Sequence, residues 1–521
     1  MKKLYILCFL AVWLFGCFED KGNYDYDNIY ELNVSFEKGA YSVTFGDTLN
    51  VEADLGRTVA PDTTRYTYKW TVGDESLPEW NTRFLEWIAD KVVKDGNIMV
   101  EVKDKVTGVV YSARSRLNVT GIYENNYSWM ILSDNGGKSQ LSYFSCLEYD
   151  YDKEEFVKTK FYEDVYTEVN GEELGTGPIA IQEHYREGVD WSETVIGNVC
   201  VFQQSGAVDL SGETFEKEIA MKDAFDGYPE GVVLQPGTFM DWVDILPDQN
   251  GKLYSRVKSV STVYNSEYFL NSPLKCVDES EELENCQIVY GYYKTNRTGY
   301  NFVYDGENKR MLFVANGGAD WDWNLVGAGK IEPMPAMGPN DKINEIVPLD
   351  NMAGYEVLDL IMFGYGYPYY GLLISLREES TNQVYLQFVK VEGSGAQPGI
   401  VEMKRYKVNG LPAVPQITTM PLSKPEYVFF AVGQDVYYFS IDNPTDPVVL
   451  YKQFEAPVAE LNAETEYGVH MAVGLENGEF YLLNIHGAKN VAMDKRVVYQ
   501  SDVKVGRIVD IQYKNMDHWN Y

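Results

Sequence analysis

The sequence predicts an all-β chain in two parts: a β-sandwich of about 90 residues, then a β-propeller of about seven blades. Three observations carry this. Short apolar runs over residues 31–121 alternate with period two, the pattern of half-buried strands. From about residue 123 a strand–glycine turn–strand unit recurs, and its two clearest copies set Gly433 and Gly474 41 positions apart. Tyrosine is abundant, 41 residues of 521, and histidine scarce, with 4, which favours strands and disfavours histidine-ligated metal chemistry. The length itself requires more than one domain, because single cores stop growing at about 250–300 residues.

The first element is an address. Met1-Lys2-Lys3 precedes an apolar run from Leu4 to Phe15 and the small Gly16, the order of a secretory signal over residues 1–16. The run is shorter than the about 20 residues a spanning helix needs. A buried N-terminal strand or helix is the alternative; the lysine pair and the polar drop after Cys17 weigh against it. Residues 17–30 begin at Cys17 and continue FEDKGNYDYDNIY, which reads as a tether.

The sandwich follows over residues 31–121. Leu49, Val51 and Ala53 share one strand face; Tyr66, Tyr68, Trp70 and Val72 share another; Ile98, Val100 and Val102 form a third. Short strands around a single central Trp suit an immunoglobulin-like sandwich, with Trp70 between the sheets. Residues Arg83–Ile88 read as a strand or as a short helical crossing.

The propeller occupies residues 123–521. In the two clear units Phe430–Gly433 leads to Val436–Ile441, and Met471–Gly474 leads to Phe480–Ile485. Weaker copies pair Trp129–Leu132 with Leu141–Phe144, Val195–Gln203 with Ala207–Leu210, and Phe239–Leu246 with Leu253–Val257. Two more pair Gly299–Tyr304 with Met311–Val314 and Leu372–Leu376 with Val384–Val391. Radial closure would protect the strand edges. A long β-sandwich or two smaller β domains is the structural alternative.

Charge and motifs narrow the function. With 78 acidic and 44 basic residues the net charge is -34, and a surface that acidic repels nucleic acid. Removing residues 1–16 takes away Lys2 and Lys3 and no acid, so the mature charge becomes -36. No HExxH, P-loop, GxSxG or CxxC motif appears, which predicts no enzyme motif, cofactor or metal site. Carboxylates are nevertheless so plentiful that a glycosidase pair, about 5–10 Å apart, could be hidden among them. Cys276 and Cys286 flank an acidic loop and could bridge a hairpin, or stay buried as free thiols. Two loops interleave glycine with aromatic rings: Gly317–Trp323, with Asp320, Trp321, Asp322 and Trp323, and Phe363–Gly371, with Tyr365, Tyr367, Tyr369 and Tyr370. Such rings suit stacking on sugars or docking a protein; the alternative is packing between blades.

Leu14-Phe15-Gly16-Cys17 resembles a bacterial lipobox, which makes Cys17 the lipidated first residue. Glu19 and Asp20 resemble the surface-export signal of Bacteroidetes lipoproteins. CFEDKGNYDYDNIYELNV, the strand Tyr-Lys-Trp-Thr-Val and the ending RSRLNVTG are similar to the PKD-like family of Bacteroidetes lipoproteins. That resemblance covers roughly the first quarter of the chain and implies a PKD-like sandwich. It also implies an outer-membrane, outward-facing lipoprotein whose partners are a SusC-like transporter and a SusD-like lipoprotein. The expected role is a non-enzymatic accessory that binds a glycan or peptide or acts as a scaffold. A propeller glycosidase or lyase, or an adhesin-like interaction module, are the alternatives.

Overall fold

The N-terminal strands form where period-two runs meet turn residues. They are β1 (Ser35–Phe36), β2 (Ala40–Thr44), β3 (Thr48–Asp54), β4 (Tyr66–Val72), β5 (Glu75–Leu77), β6 (Phe84–Ile88), β7 (Val93–Asp104) and β8 (Val110–Thr120). The computed structural model describes residues 32–56, 64–124, 127–189, 193–291, 299–319, 325–335, 346–365, 369–392, 398–423, 425–465, 467–515 and 518–519. The chain divides into two compact units after Thr120.

In the first unit one sheet has the order β1-β3-β6 and the other β2-β8-β7-β4-β5. Both face one core. Leu49, Val51 and Ala53 of β3, Leu85 and Trp87 of β6, and Val100 and Val102 of β7 are buried together around Trp70. The Trp70 indole nitrogen donates to the Thr82 carbonyl at 2.9 Å, so its one polar atom is satisfied in the core. Residues 84–88 are a strand because Leu85 and Trp87 point inward while Phe84 and Ile88 are exposed. At the far end of β7, Asp104 is buried against Arg65, whose guanidinium donates to it at 2.7 Å. That pairing holds the Asp104 carboxyl down at about 2.

Among the described residues the second unit holds a propeller-like succession of seven sheets of three or more strands, and two ribbons that pair Thr194–Val195 with His518–Trp519 and Gly318–Ala319 with Leu325–Val326. The first holds Ser128–Asn135, Lys138–Asp150 and Glu155–Tyr162, with Gly175–Thr176 at its margin. The second runs Pro178–His184, Asn198–Gln203, Val208–Leu210 and Lys217–Ala220. The third has three strands, Thr238–Phe239, Val243–Pro247 and Leu253–Val257. The fourth runs Cys286–Ile288, Tyr300–Asp305, Arg310–Ala315 and Ile331–Pro333. The fifth runs Tyr355–Gly364, Tyr369–Glu378, Val384–Glu392 and Gly399–Lys407 and gains Tyr290–Gly291 in parallel. The sixth runs Ile417–Thr419, Tyr427–Val432, Asp435–Ser440 and Val449–Gln453. The seventh runs Val458–Ala463, His470–Leu475, Phe480–Asn484 and Val497–Gln500.

The first sheet is completed from the other end of the chain. Arg507–Lys514 pairs with Ser128–Asn135, from Arg507 opposite Asp134 to Lys514 opposite Ser128. This ties the last turn of the succession to its start and removes an exposed edge.

Apolar clusters glue neighbouring sheets. Met130 and Leu141 of the first meet Ile181 and Val199 of the second. Leu373 and Leu386 of the fifth meet Val428 and Phe430 of the sixth. Trp129, Phe144 and Ile511 of the first meet Ala472, Phe480 and Leu482 of the seventh, which closes the succession from the packing side.

Polar side chains stitch adjacent sheets together. Asp510 Oδ2 accepts the Ile181 N–H at 2.7 Å, and Gln512 Oε1 accepts that of Glu183 at 3.1 Å. Gln182 makes two bonds to Gly237, donating at 2.6 Å and accepting at 2.9 Å. Asn301 donates to Thr238 Oγ1 at 2.7 Å, and Asp359 Oδ2 accepts the Thr418 N–H at 2.9 Å. Asn462 Oδ1 accepts the Tyr513 N–H at 2.9 Å. All of these except the Asn301–Thr238 side-chain bond satisfy a backbone group of the neighbouring sheet.

Candidate functional site

Five of the residues expected to bind ligand lie outside the described residues: Asp320, Trp321, Asp322, Trp323 and Tyr367; so does Cys17. The other three tyrosines are placed. Tyr365 is exposed, and its ring lies 5.3 Å from that of Phe363. Tyr369 and Tyr370 open the strand Tyr369–Glu378, and Tyr370 packs half-buried on the core between the fourth and fifth sheets. The Lys390 ammonium sits 4.3 Å from the Tyr369 ring centre and 5.1 Å from that of Tyr365. The protein's own cation therefore occupies the faces these rings would offer a ligand.

The possible Cys276–Cys286 bridge is not formed: both are free thiols. They belong to one apolar cluster with Met240, Val243 and Leu312. Burial pushes the Cys276 thiol up to about 11 and the Cys286 thiol up to about 12, so neither carries the thiolate that exchange requires.

Sequence reasoning did not single out the acids that the fold gathers. Asp359 comes from the first strand of the fifth sheet, Glu460 from that of the seventh, and Asp510 from the strand closing the first. In a propeller these strands line the axial channel. All three are half-buried. Glu460 is close enough to feel the charge of both Asp510 and Asp359. Burial lifts Asp359 to about 7, against which its bonds from Thr418 act. Burial also raises Asp510 and, more strongly, Glu460, whose second cause is the charge of Asp510. Such a group holds its proton near neutrality and can give or take it there. The signal was present in the sequence: LDLIMF, VAELNA and IVDIQY each bury one acid in an otherwise strand-like apolar run.

A second charged network is fully buried. Asp244 accepts from Arg256 Nη2 at 2.7 Å and forms an ion pair with Lys258 Nζ at 2.9 Å. Asn265 links Arg256, at 3.0 Å, to Asp209, at 2.9 Å. Asp209 also contacts His184 Nε2 at 2.8 Å and Asn198 at 3.2 Å. Burial pushes the Asp209 carboxyl up, but His184 and the two amides outweigh it and hold it below its ordinary value. Every member has a partner, as a buried charge network demands. His470 opens the strand His470–Leu475, fully buried, and burial lowers its ring to about 3 so that it stays neutral. No three His, Cys, Asp or Glu side chains among the described residues are grouped to hold a metal.

The model of the PKD-like family matches residues 17–178. The match thus covers residues 17–120 of the first unit and runs on through the strands Ser128–Asn135, Lys138–Asp150, Glu155–Tyr162 and Gly175–Thr176 of the second. No curated protein matches the sequence. Among solved structures, apo AztD from Citrobacter koseri is similar at 11% identity, over 86% of this chain and 97% of that one, with a TM-score of 0.36. BamB from Moraxella catarrhalis is similar at 11% identity, over 73% and 89%, with a TM-score of 0.29. The Cps50 (Swd1) β-propeller domain from Myceliophteria thermophila is similar at 9% identity, over 64% and 93%, with a TM-score of 0.37.

Proposed function

We propose that the protein is a lipid-anchored outer-membrane lipoprotein facing the cell exterior. In this reading it is a non-enzymatic accessory, ligand-binding or scaffolding, of a SusC/SusD-type uptake complex. The first unit acts as a PKD-like β-sandwich next to the tether, and the seven sheets act as the blades of a seven-bladed propeller. One observation carries the reading: the PKD-like match opens at Cys17, the residue at which the lipobox would start the mature chain. The acidic pair Glu19-Asp20 supports outward export, and the charge of -36 suits a solvated surface protein. The test is mild detergent extraction of tagged protein from its native membranes. We expect SusC-like and SusD-like proteins to co-purify, and Cys17→Ser to abolish both membrane retention and co-purification. Retention of the Cys17→Ser variant in the outer membrane would overturn the anchor, and extraction free of both partners would overturn the complex.

A second reading, a propeller glycosidase or lyase, has one observation in its favour: the axial acids Asp359, Glu460 and Asp510, raised by burial. It requires turnover of a glycan substrate that Glu460→Gln and Asp510→Asn abolish. Both Asp359 and Asp510 already accept a backbone N–H from the next sheet, which is what a closing role needs.

A further inference from the structure

The turn between the second and third strands of the second sheet, the equivalent turn of the third sheet and the start of the fourth sheet enclose a groove of about 600 Å³. Six of its lining side chains are amides: Gln204, Gln235, Gln249, Asn250, Asn285 and Gln287. Asp248 is the single carboxylate on the wall, and its Oδ1 is already spent on the N–H groups of Asn250, at 2.8 Å, and Lys252, at 2.9 Å. In a chain with a net charge of -34 this wall carries one acid and is otherwise lined by uncharged amides and apolar residues.

The groove is also preformed. Asn285 N donates to the Asn250 carbonyl at 2.8 Å and Cys286 N to that of Gly251 at 3.2 Å, so the turn of the third sheet is pinned to the fourth. Gly251 has a φ of +71, and a Cβ there would fall 2.2 Å from Cys286 N. Only glycine permits that approach. Gln249 is fixed by Val233 N–H at 2.7 Å and the Gly231 carbonyl at 2.9 Å. Gln204, Asn250 and Gln287 are exposed, and among the described residues no protein group takes up their side-chain amides.

A side-chain amide sets a donor beside an acceptor, which matches a pair of adjacent hydroxyls, each donor and acceptor at once. An anion would meet the repulsive field of the whole chain, and the one carboxylate on this wall, Asp248, is buried and turned to the backbone of its own turn. No aromatic ring lines the groove; its apolar residues are Pro236, Pro247, Cys286 and Ile288. We propose that this amide-lined groove binds a neutral oligosaccharide. The proposal rests on the ligand-binding reading above and gives that reading a site apart from the aromatic loops.

The test is calorimetric titration of the Cys17→Ser mature chain with gluco-, manno-, galacto- and fructo-oligosaccharides. A polyuronate and a tryptic digest of casein are run alongside. We expect at least one neutral oligosaccharide to bind. Replacing Gln204, Asn250 and Gln287 together by alanine should weaken it by roughly 10- to 100-fold, from the loss of up to three hydrogen bonds. The exposed positions should leave the melting temperature unchanged, which separates loss of binding from loss of fold. The proposal is overturned if no neutral oligosaccharide binds, if the triple variant binds as well as the parent, or if only peptides or the polyuronate bind. Co-purification with the importer that survives such a result would retain the accessory role and remove only this site.

Discussion

Asp359→Asn isolates the cost of a charge on the strand Tyr355–Gly364 of the fifth sheet. The variant keeps size, shape and an oxygen that can accept the Thr418 N–H, now made at 2.9 Å by the carboxyl. It removes only the titration. Burial lifts Asp359 from 3.8 to about 7. The sign follows from linkage: a raised folded value means the folded chain holds the proton that the unfolded chain has released. Stability from this group is therefore present as pH falls towards about 4 and is lost as pH rises through about 7. The full shift corresponds to a ceiling of ~4 kcal/mol. Because Asp359 is half-buried and reached by water, we expect ~1–2 kcal/mol. At pH 8 Asp359→Asn should be more stable than the parent by that amount, with a melting temperature roughly 2–4 °C higher. Near pH 4 the two should coincide, with part of the difference already present at pH 5. Differential scanning calorimetry at several pH values between 4 and 8 reads this directly. A variant that is less stable at pH 8, or a difference independent of pH, would refute a charge penalty at this position.

Three other perturbations probe the framework. Arg256→Met leaves Asp244 with Lys258 alone and frees Asn265 on one side, so urea unfolding should show a loss of about 3–5 kcal/mol; a loss under about 1 kcal/mol would mean the network relaxes. Ending the chain after Gly506 removes the strand that completes the first sheet and exposes the edge of Ser128–Asn135; the second unit should aggregate or lose its cooperative melting transition, and a monomer with the parent transition would contradict closure by that strand. Cys146, Cys200, Cys276 and Cys286 are buried free thiols; in the Cys17→Ser mature chain a thiol reagent should react with none of them in buffer and with all four in denaturant without reductant, whereas two missing thiols would indicate a bridge.

The strand pairs that sequence could read are those in which both members are apolar and the turn is short. Trp129–Leu132 with Leu141–Phe144, and Phe430–Gly433 with Val436–Ile441, are the two central strands of their sheets, buried on both faces by the sheets on either side. Their neighbours were less legible. Ile417–Thr419 and Val449–Gln453 are short and carry polar or exposed residues, so no periodicity marks them. The pairing of Arg507–Lys514 with Ser128–Asn135 joins residues more than 370 positions apart, and a local pattern cannot report it. Trp70 stands out because a tryptophan on the apolar face of an alternating strand has few places to go but a core.

The candidate acids were hidden by their own abundance. A chain with 78 Asp and Glu makes any one of them look like part of a solvated coat. What separates Asp359, Glu460 and Asp510 from that coat is their position on strands at the margins of their sheets, half-buried, with Glu460 near enough to feel the charge of the other two. There the backbone N–H groups of Ile181 and Thr418 need acceptors, and a carboxyl supplies one even when it is protonated. Three ionised acids so placed would repel one another, so the ring closes most favourably when some of the protons stay on. The same burial that makes these groups resemble catalytic acids is thus accounted for by closure, and turnover lost on Glu460→Gln would be the one result that demands more of them.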